Sequence, residues 1–320
     1  MARLIIHIGT KKTGTTTLQG HLKANHAWLA DRGIFVSLAS GSEEDKRVSR
    51  AYMAGNPADA ATWFSEARRF VATGGHTAIL TAESLADLLP DEIAAIKRDI
   101  PAIFGEVRIV LYVRRQDMAS VSHYSTSIKG GGVSKSLMSN GMGDRGRRAI
   151  NYGSIVRDWG RCFGRDAVAV YNYGERHLGS WDIIDHFSST FDAAISEAPR
   201  NAGIRNISLS PVHLAYLRRF NLHLNQNPSI KKGDIRARFL QLLQGVGTGR
   251  ISLRPSRSAA EAFYASFAQE NALLAELVPG AADFFSDDFS MYPEEAIEID
   301  SLVEDSEFLR VLQALGLARS

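Results

Sequence analysis

The residues best suited to chemistry lie near the start of the chain, in Gly9-Thr-Lys-Lys-Thr-Gly14-Thr-Thr-Thr-Leu18. Leu4 to Ile8 before them read as a buried strand, and Leu18, Leu22 and Leu29 after them as the stripe of a helix. Strand, glycine loop and helix in that order expose successive backbone N–H groups at a helix N-terminus. Those groups and the helix dipole bind a phosphate-like anion. The two glycines have the spacing of the nucleotide-binding pattern G-x-x-x-x-G-K-[ST]. Thr15 replaces the lysine that follows the second glycine, and Lys12 lies inside the loop instead, with Lys11 beside it.

That replacement separates two chemistries. A P-loop NTPase places the post-glycine lysine on the β- and γ-phosphates and holds Mg²⁺ with the next hydroxyl and a strand-end Asp. Here the strand read at Thr77 to Thr81 is followed by Glu83, and the one at Val107 to Val113 by Arg114 and Arg115. A metal-dependent kinase is disfavoured, and the loop suits a 5′-phosphosulfate with Lys12 near the bridging oxygen. The plainer alternative is a glycine turn that binds nothing, with Lys11 and Lys12 solvated.

The stretch IIHIGTKKTGTTTLQGHL resembles the 5′-phosphosulfate loop of the sulfotransferases, whose core is K-T-G-T-T. The likeness is greatest to bacterial members, where an H-I-G strand leads into that loop. The resemblance implies a donor, 3′-phosphoadenosine 5′-phosphosulfate (PAPS), and 3′,5′-adenosine bisphosphate as its product. It makes Lys12 the residue that contacts the sulfate-bearing phosphate and stabilises the leaving group. Thr13, Gly14, Thr15, Thr16 and Thr17 match the rest of the cradle, and Lys11 is grouped with the donor-binding residues.

A second motif follows the strand Val107 to Val113. Ser122 lies eight positions beyond Arg114, on the helix after that strand. In the sulfotransferases an Arg and a Ser so placed bind the 3′-phosphate. An Arg fork donates bidentately to phosphate, and the Ser adds a hydroxyl. The family often has R-N-P after the strand, whereas this chain has Arg114-Arg115-Gln116. Further likeness runs through Tyr152 to Tyr173 with Trp159 and Phe163-Gly164, through Asn206-Ile-Ser-Leu209, and through Asp287-Asp288-Phe289 and Tyr292-Pro293. It spans most of the chain, but only the first loop is highly specific. Asn206 and Ser208 carry no assigned role.

An acceptor that attacks sulfur must lose a proton, and a base within hydrogen-bond reach helps. Glu83 is the first candidate, because it follows a strand and belongs at the carboxyl edge of the sheet, where open α/β folds bind ligands. It suits equally the start of a helix, where the dipole favours an acid. His123, next to Ser122, is the second candidate. His7 lies inside a strand and reads as a core histidine.

Apolar residues make up 45% of the chain and charged residues 22%, ordinary for a soluble globular protein, and the net charge of +2 gives no basic stripe for nucleic acid. Cys162 is the only cysteine, so no intramolecular disulfide or cysteine-based metal cluster can form. Its helical spacing reads as buried filler. No H-E-x-x-H or C-x-x-C pattern suggests zinc. The opening MARLIIHIGTKK has a short apolar run broken by His7, too short for a secretory core, and no stretch is long enough to cross a bilayer. The expected location is the cytoplasm.

Short apolar runs at Leu4 to Ile8, Ile34 to Ser37, Thr77 to Thr81, Val107 to Val113 and Ala167 to Tyr171 alternate with helical patterns. The expectation is an α/β, P-loop-like three-layer fold with a central, mainly parallel sheet of about five strands and a helical C-terminal third. It reads as a single domain over 1–320, with a nucleotide-binding core over about 1–205 and a helical remainder over about 206–320. Ser210-Pro211 has the pattern of an N-cap followed by proline at the first helical position, and Ser258 with Glu261 has capping-box spacing. The loop Lys129 to Arg148 holds five Lys/Arg, one Asp and six glycines. It suits a lid over an anion or a solvated loop equally.

The expected activity is sulfuryl transfer from PAPS to a hydroxyl or amine, on an acceptor such as a glycan or lipid-linked sugar, without a metal. The alternatives are a magnesium-dependent phosphotransferase and a non-catalytic nucleotide-binding module.

Overall fold

The computed structural model describes residues 1–37, 45–138, 147–174, 182–191, 194–200, 209–230, 232–246 and 253–318. Asn206 and Ser208 lie outside them, as do residues 139–146 of the glycine-rich loop.

Five strands, β1 (Ala2–His7), β2 (Ile34–Val36), β3 (Thr77–Thr81), β4 (Phe104–Val113) and β5 (Val168–Asn172), form one sheet in the order β2-β3-β1-β4-β5. All four neighbouring pairs are parallel. Helices α1 (Thr15–Ala24), α2 (His26–Ala30), α3 (Lys46–Met53), α4 (Ala58–Ala72), α5 (Pro90–Asp99), α6 (Gln116–Lys129) and α7 (Tyr152–Phe163) come before or between the last strands. Helices α8 (Ile183–Phe191), α9 (Pro211–Gln226), α10 (Lys232–Leu242), α11 (Arg257–Ala265), α12 (Ala268–Leu277) and α13 (Asp305–Ala314) follow. Among the described residues no helix is long and apolar enough to cross a membrane.

The chain forms two compact units that interleave along the sequence. The first comprises Met1–Arg115, Met142–Arg205 and Phe267–Ser286 and contains the sheet. Its inner strands β1 and β3 are near-continuous apolar runs because both faces are covered. On one face Ile5, Ile79, Val110 and Tyr112 pack with Leu18 and Leu22 of α1 and with Ile183, Ile184 and Phe187 of α8. The alternate residues Leu4, Ile6, Leu80, Ile109 and Leu111 are also buried and point the other way. There Phe35 of β2 meets Trp63 of α4 with ring centroids 5.6 Å apart. Helix, sheet and helix thus make the three layers.

The second unit comprises Gln116–Gly141, Asn206–Ser266 and Asp287–Ser320. It is helical, and its core joins Tyr124 and Ile128 of α6 to Leu217 and Phe220 of α9, Phe239 of α10 and Phe308 of α13. Phe220 and Phe239 stack with centroids 3.9 Å apart. Ser210 caps α9 as expected, accepting from the His213 N–H, with Pro211 at the first helical position. Helix α11 starts two residues earlier than the sequence suggests. Ser256, not Ser258, is its cap, accepting from the Ala259 N–H. Cys162 is half-buried in the last turn of α7, not buried. Burial pushes its thiol pKa up, which disfavours the nucleophilic thiolate.

Candidate functional site

The candidate site is built at the carboxyl edge of the sheet in the first unit. The chain leaves β1 toward β2 on one side and leaves β4 toward β5 on the other, so the connections diverge above β1 and β4. Open α/β sheets bind ligands at such a switch point. The loop after β1 stays tied to β4 for three residues. Ile8 donates to the Val110 carbonyl at 3.0 Å, Thr10 to the Tyr112 carbonyl at 2.9 Å, and Tyr112 donates back to Gly9 at 2.7 Å. The Thr13 hydroxyl then closes the turn on the Thr10 carbonyl at 2.6 Å.

Beyond that point the backbone turns sharply into α1. Lys12 has φ 71° and is the only non-glycine residue with positive φ among those described. Gly14, the N-cap of α1, has φ 74°. Left-handed residues within such a turn aim successive N–H groups into one concavity. With glycine as the cap, no side-chain oxygen satisfies the first-turn N–H groups. Thr15 is buried at the start of α1, Thr16 is half-buried and Thr17 is exposed. The loop therefore forms a concave turn at the N-terminus of α1, as its glycine spacing suggests.

Glu83 opens a 3₁₀ turn, Glu83–Asp87, directly after β3. Its Oε1 accepts from the Thr15 hydroxyl. Burial raises the Glu83 pKa, while Lys11, Lys12 and Lys46 pull it down and Asp87 adds to the rise. The net direction is upward, as a base poised nearer neutrality requires. The loop and Glu83, 68 positions apart, are therefore brought together. Lys11 turns toward the same segment, with its Nζ 3.1 Å from Asp87 Oδ2.

Two adjacent arginines follow β4 and differ in their surroundings. Arg115 is 3% exposed and donates to the Ser286 carbonyl at 2.6 Å. Arg114 is half-buried, and the described residues take no hydrogen bond from its guanidinium. Its carbonyl is held by the Tyr152 hydroxyl at 2.7 Å, which fixes the backbone beneath the side chain.

Tyr173, which in the sequence only closes the segment from Tyr152, also lies against the loop. It follows β5 and donates its N–H to the Val113 carbonyl at 2.7 Å. Its ring lies over Gly14, and a Cβ added there would stand 2.8 Å from Tyr173 Cε2 and 2.9 Å from its hydroxyl. No spacing rule marks a tyrosine after a strand; only the sheet order, with β5 beside β4, brings it to the loop.

Ser122 and His123 lie on α6 in the second unit, both half-buried. The first part of the glycine-rich loop belongs to that unit and is tied down. Arg218, 2% exposed, donates to the carbonyls of Val133 and Ser134 at 3.0 and 2.9 Å, and Asn221 donates to Ile128 and Gly132 at 2.9 and 2.8 Å. The stretch from Lys129 to Met138 is therefore a braced segment.

His7 is fully buried in β1, with its Nδ1 2.8 Å from the Thr81 hydroxyl. Burial holds its pKa down to about 3, so the ring is neutral. Among the described residues no group of three or more His, Cys, Asp or Glu side chains is placed to hold a metal ion.

No family model matches the sequence, and no curated protein matches it. Among solved structures the chain is similar to a sulfotransferase from Alicyclobacillus acidocaldarius, with a TM-score of 0.39 and 12% sequence identity, over 68% of this chain and 92% of that one.

Proposed function

We propose that the protein is a sulfotransferase, moving a sulfuryl group from PAPS to a hydroxyl or amine of an acceptor without a metal ion. The observation that carries this reading is the Gly9–Thr17 anion loop lying against the Glu83 carboxylate through the Thr15 hydroxyl. Thr15 occupies the position where a nucleotide kinase has its lysine, and it is engaged with a base candidate. This favours a donor that needs an anion cradle beside a base over a magnesium-bound triphosphate.

PAPS supplies the sulfuryl group on a phosphate–sulfate anhydride. Lys12 and the loop N–H groups neutralise charge that grows on the bridging oxygen as its bond to sulfur breaks. Glu83 accepts the acceptor's proton as the new bond to sulfur forms. Arg114 offers its guanidinium to the 3′-phosphate. The transferring group carries spread negative charge, so positioning and electrostatics supply most of the rate. The acceptor contributes a hydroxyl or amine nucleophile, as a carbohydrate or a lipid-linked sugar would.

The test is release of 3′,5′-adenosine bisphosphate from PAPS on addition of fractionated glycan and lipid acceptors, in the presence of a chelator. Acceptor-dependent release that survives chelation supports the reading. Phosphoryl transfer from ATP that stops on chelation replaces it with a kinase. Tight bisphosphate binding without transfer to any acceptor replaces it with a binding module.

A further inference from the structure

The anion loop is fastened to the turn that carries Glu83 at a second point. Glu83 and Asp87 are the first and last residues of one 3₁₀ turn. Thr15 is bonded to the first and Lys11 to the last. The Asp87 side chain is only 11% exposed and that of Lys11 30%. A carboxylate so withdrawn from water is stabilised by a cation within ion-pair distance. An anion in the cradle competes with Asp87 for the Lys11 ammonium, which already gives one of its donors to that carboxylate.

We propose that Lys11 is a positioning residue and not a donor ligand: Asp87 holds its ammonium beside Glu83, where it keeps the carboxylate available as a base and locks the loop to the turn. The role assumes the sulfuryl-transfer reading; the placement of Lys11 stands without it. The charged groups facing Glu83 are Lys11 and Lys12 from the loop, Lys46 from the start of α3, and Asp87 from its own turn. Lys11 is pinned by a buried partner on the turn itself.

The experiment is a carbon-13 NMR titration of protein labelled at the glutamate δ-carbons, with Glu83 assigned by its loss in Glu83→Gln. Lys11→Met should raise the Glu83 midpoint by at least about half a pH unit, and Lys11→Arg should hold it within about 0.2. If Lys11→Met does not fold, Lys11→Gln carries the same expectation. In an Asp87→Asn background, where nothing pins the ammonium, the effect of Lys11→Met should shrink to less than about half.

A parallel calorimetric titration with 3′,5′-adenosine bisphosphate separates the ligand role. Lys11→Met should weaken binding by less than about threefold, and Lys12→Met by more than about tenfold. An unmoved Glu83 midpoint, an undiminished effect in Asp87→Asn, or a loss of affinity in Lys11→Met as large as in Lys12→Met overturns the proposal. Wild-type protein that does not bind the bisphosphate contradicts the sulfuryl-transfer reading alone, and the NMR titration still decides where Lys11 acts.

Discussion

Thr15 donates its side-chain hydroxyl to Oε1 of Glu83, joining the first residue of α1 to the first residue of the turn after β3. Parallel pairing of β1 with β3, with His7 opposite Thr81, makes this contact possible. Both strands end at the same edge, so the loop after one and the turn after the other must meet there. The hydroxyl that begins the anion cradle is thereby bonded to the group proposed to take the proton.

Glu83→Gln should abolish most transfer and stabilise the fold at neutral pH. A general base is worth roughly 10²- to 10⁴-fold in rate. Burial raises the Glu83 pKa above the ordinary carboxylate value. A carboxyl group raised in this way adds stability below its unfolded value, and that stability is lost as the pH rises through the folded value. The neutral glutamine escapes this loss. Its melting temperature should exceed that of the wild type at pH 7, and the gap should close below about pH 4. The wild-type rate should fall on the acid side at a pH above the ordinary carboxylate value.

Lys12→Ala should lower kcat by about 100-fold or more, the scale of losing one preorganised donor to developing negative charge. Lys12 is half-buried in the loop and belongs to neither apolar core, so the loss of stability should be small beside the loss of rate. A rate within about twofold of wild type would remove Lys12 from its assigned role.

Gly14→Ala should weaken bisphosphate binding and lower the melting temperature for two separable reasons. A side chain at φ 74° pays a left-handed penalty of roughly 1–2 kcal/mol. The new Cβ also meets the Tyr173 ring at 2.8 Å. Adding Tyr173→Ala should recover the second part of the stability loss and leave the first. Failure of the double variant to recover anything would mean that the ring already moves aside.

His7 should make the protein acid-sensitive. Its folded pKa of about 3 lies far below the ordinary histidine value. Its contribution is complete above the ordinary value of about 6.5 and is lost as the pH falls toward the folded one, with a slope of up to about 1.4 kcal/mol per pH unit. Urea unfolding of wild type and His7→Gln between pH 7 and 4 checks this. The substituted protein should show the shallower dependence.

The parts of this architecture with local causes were legible in the sequence. All five strands were legible as apolar runs; β1, β3 and the end of β4 are buried on both faces, while the edge strands β2 and β5 are mostly half-buried. The start of β4 at Phe104 was not, because Gly105 and Glu106 are exposed and break the run expected from Val107. The loop was legible as glycine spacing, and Glu83 as an acid after a strand. The pairing of Lys11 with Asp87 was not, because it spans 76 positions and follows from strand order. The same holds for Tyr173 over Gly14. Bracing of the segment before Met138 by Arg218 and Asn221 was equally invisible, since polar residues within a helix read as a solvated face.

On the proposed reading this edge of the sheet binds a 3′-phosphorylated adenosine nucleotide through the loop and Arg114. Calorimetric titration with 3′,5′-adenosine bisphosphate, against ATP with magnesium, tests it most directly. Micromolar binding of the bisphosphate is expected, with a loss of at least about tenfold in Arg114→Ala. In Arg115→Ala, which cuts a buried bond to the Ser286 carbonyl, the main effect should be on stability. Absence of bisphosphate binding, with magnesium-dependent binding of ATP in its place, would contradict the claim.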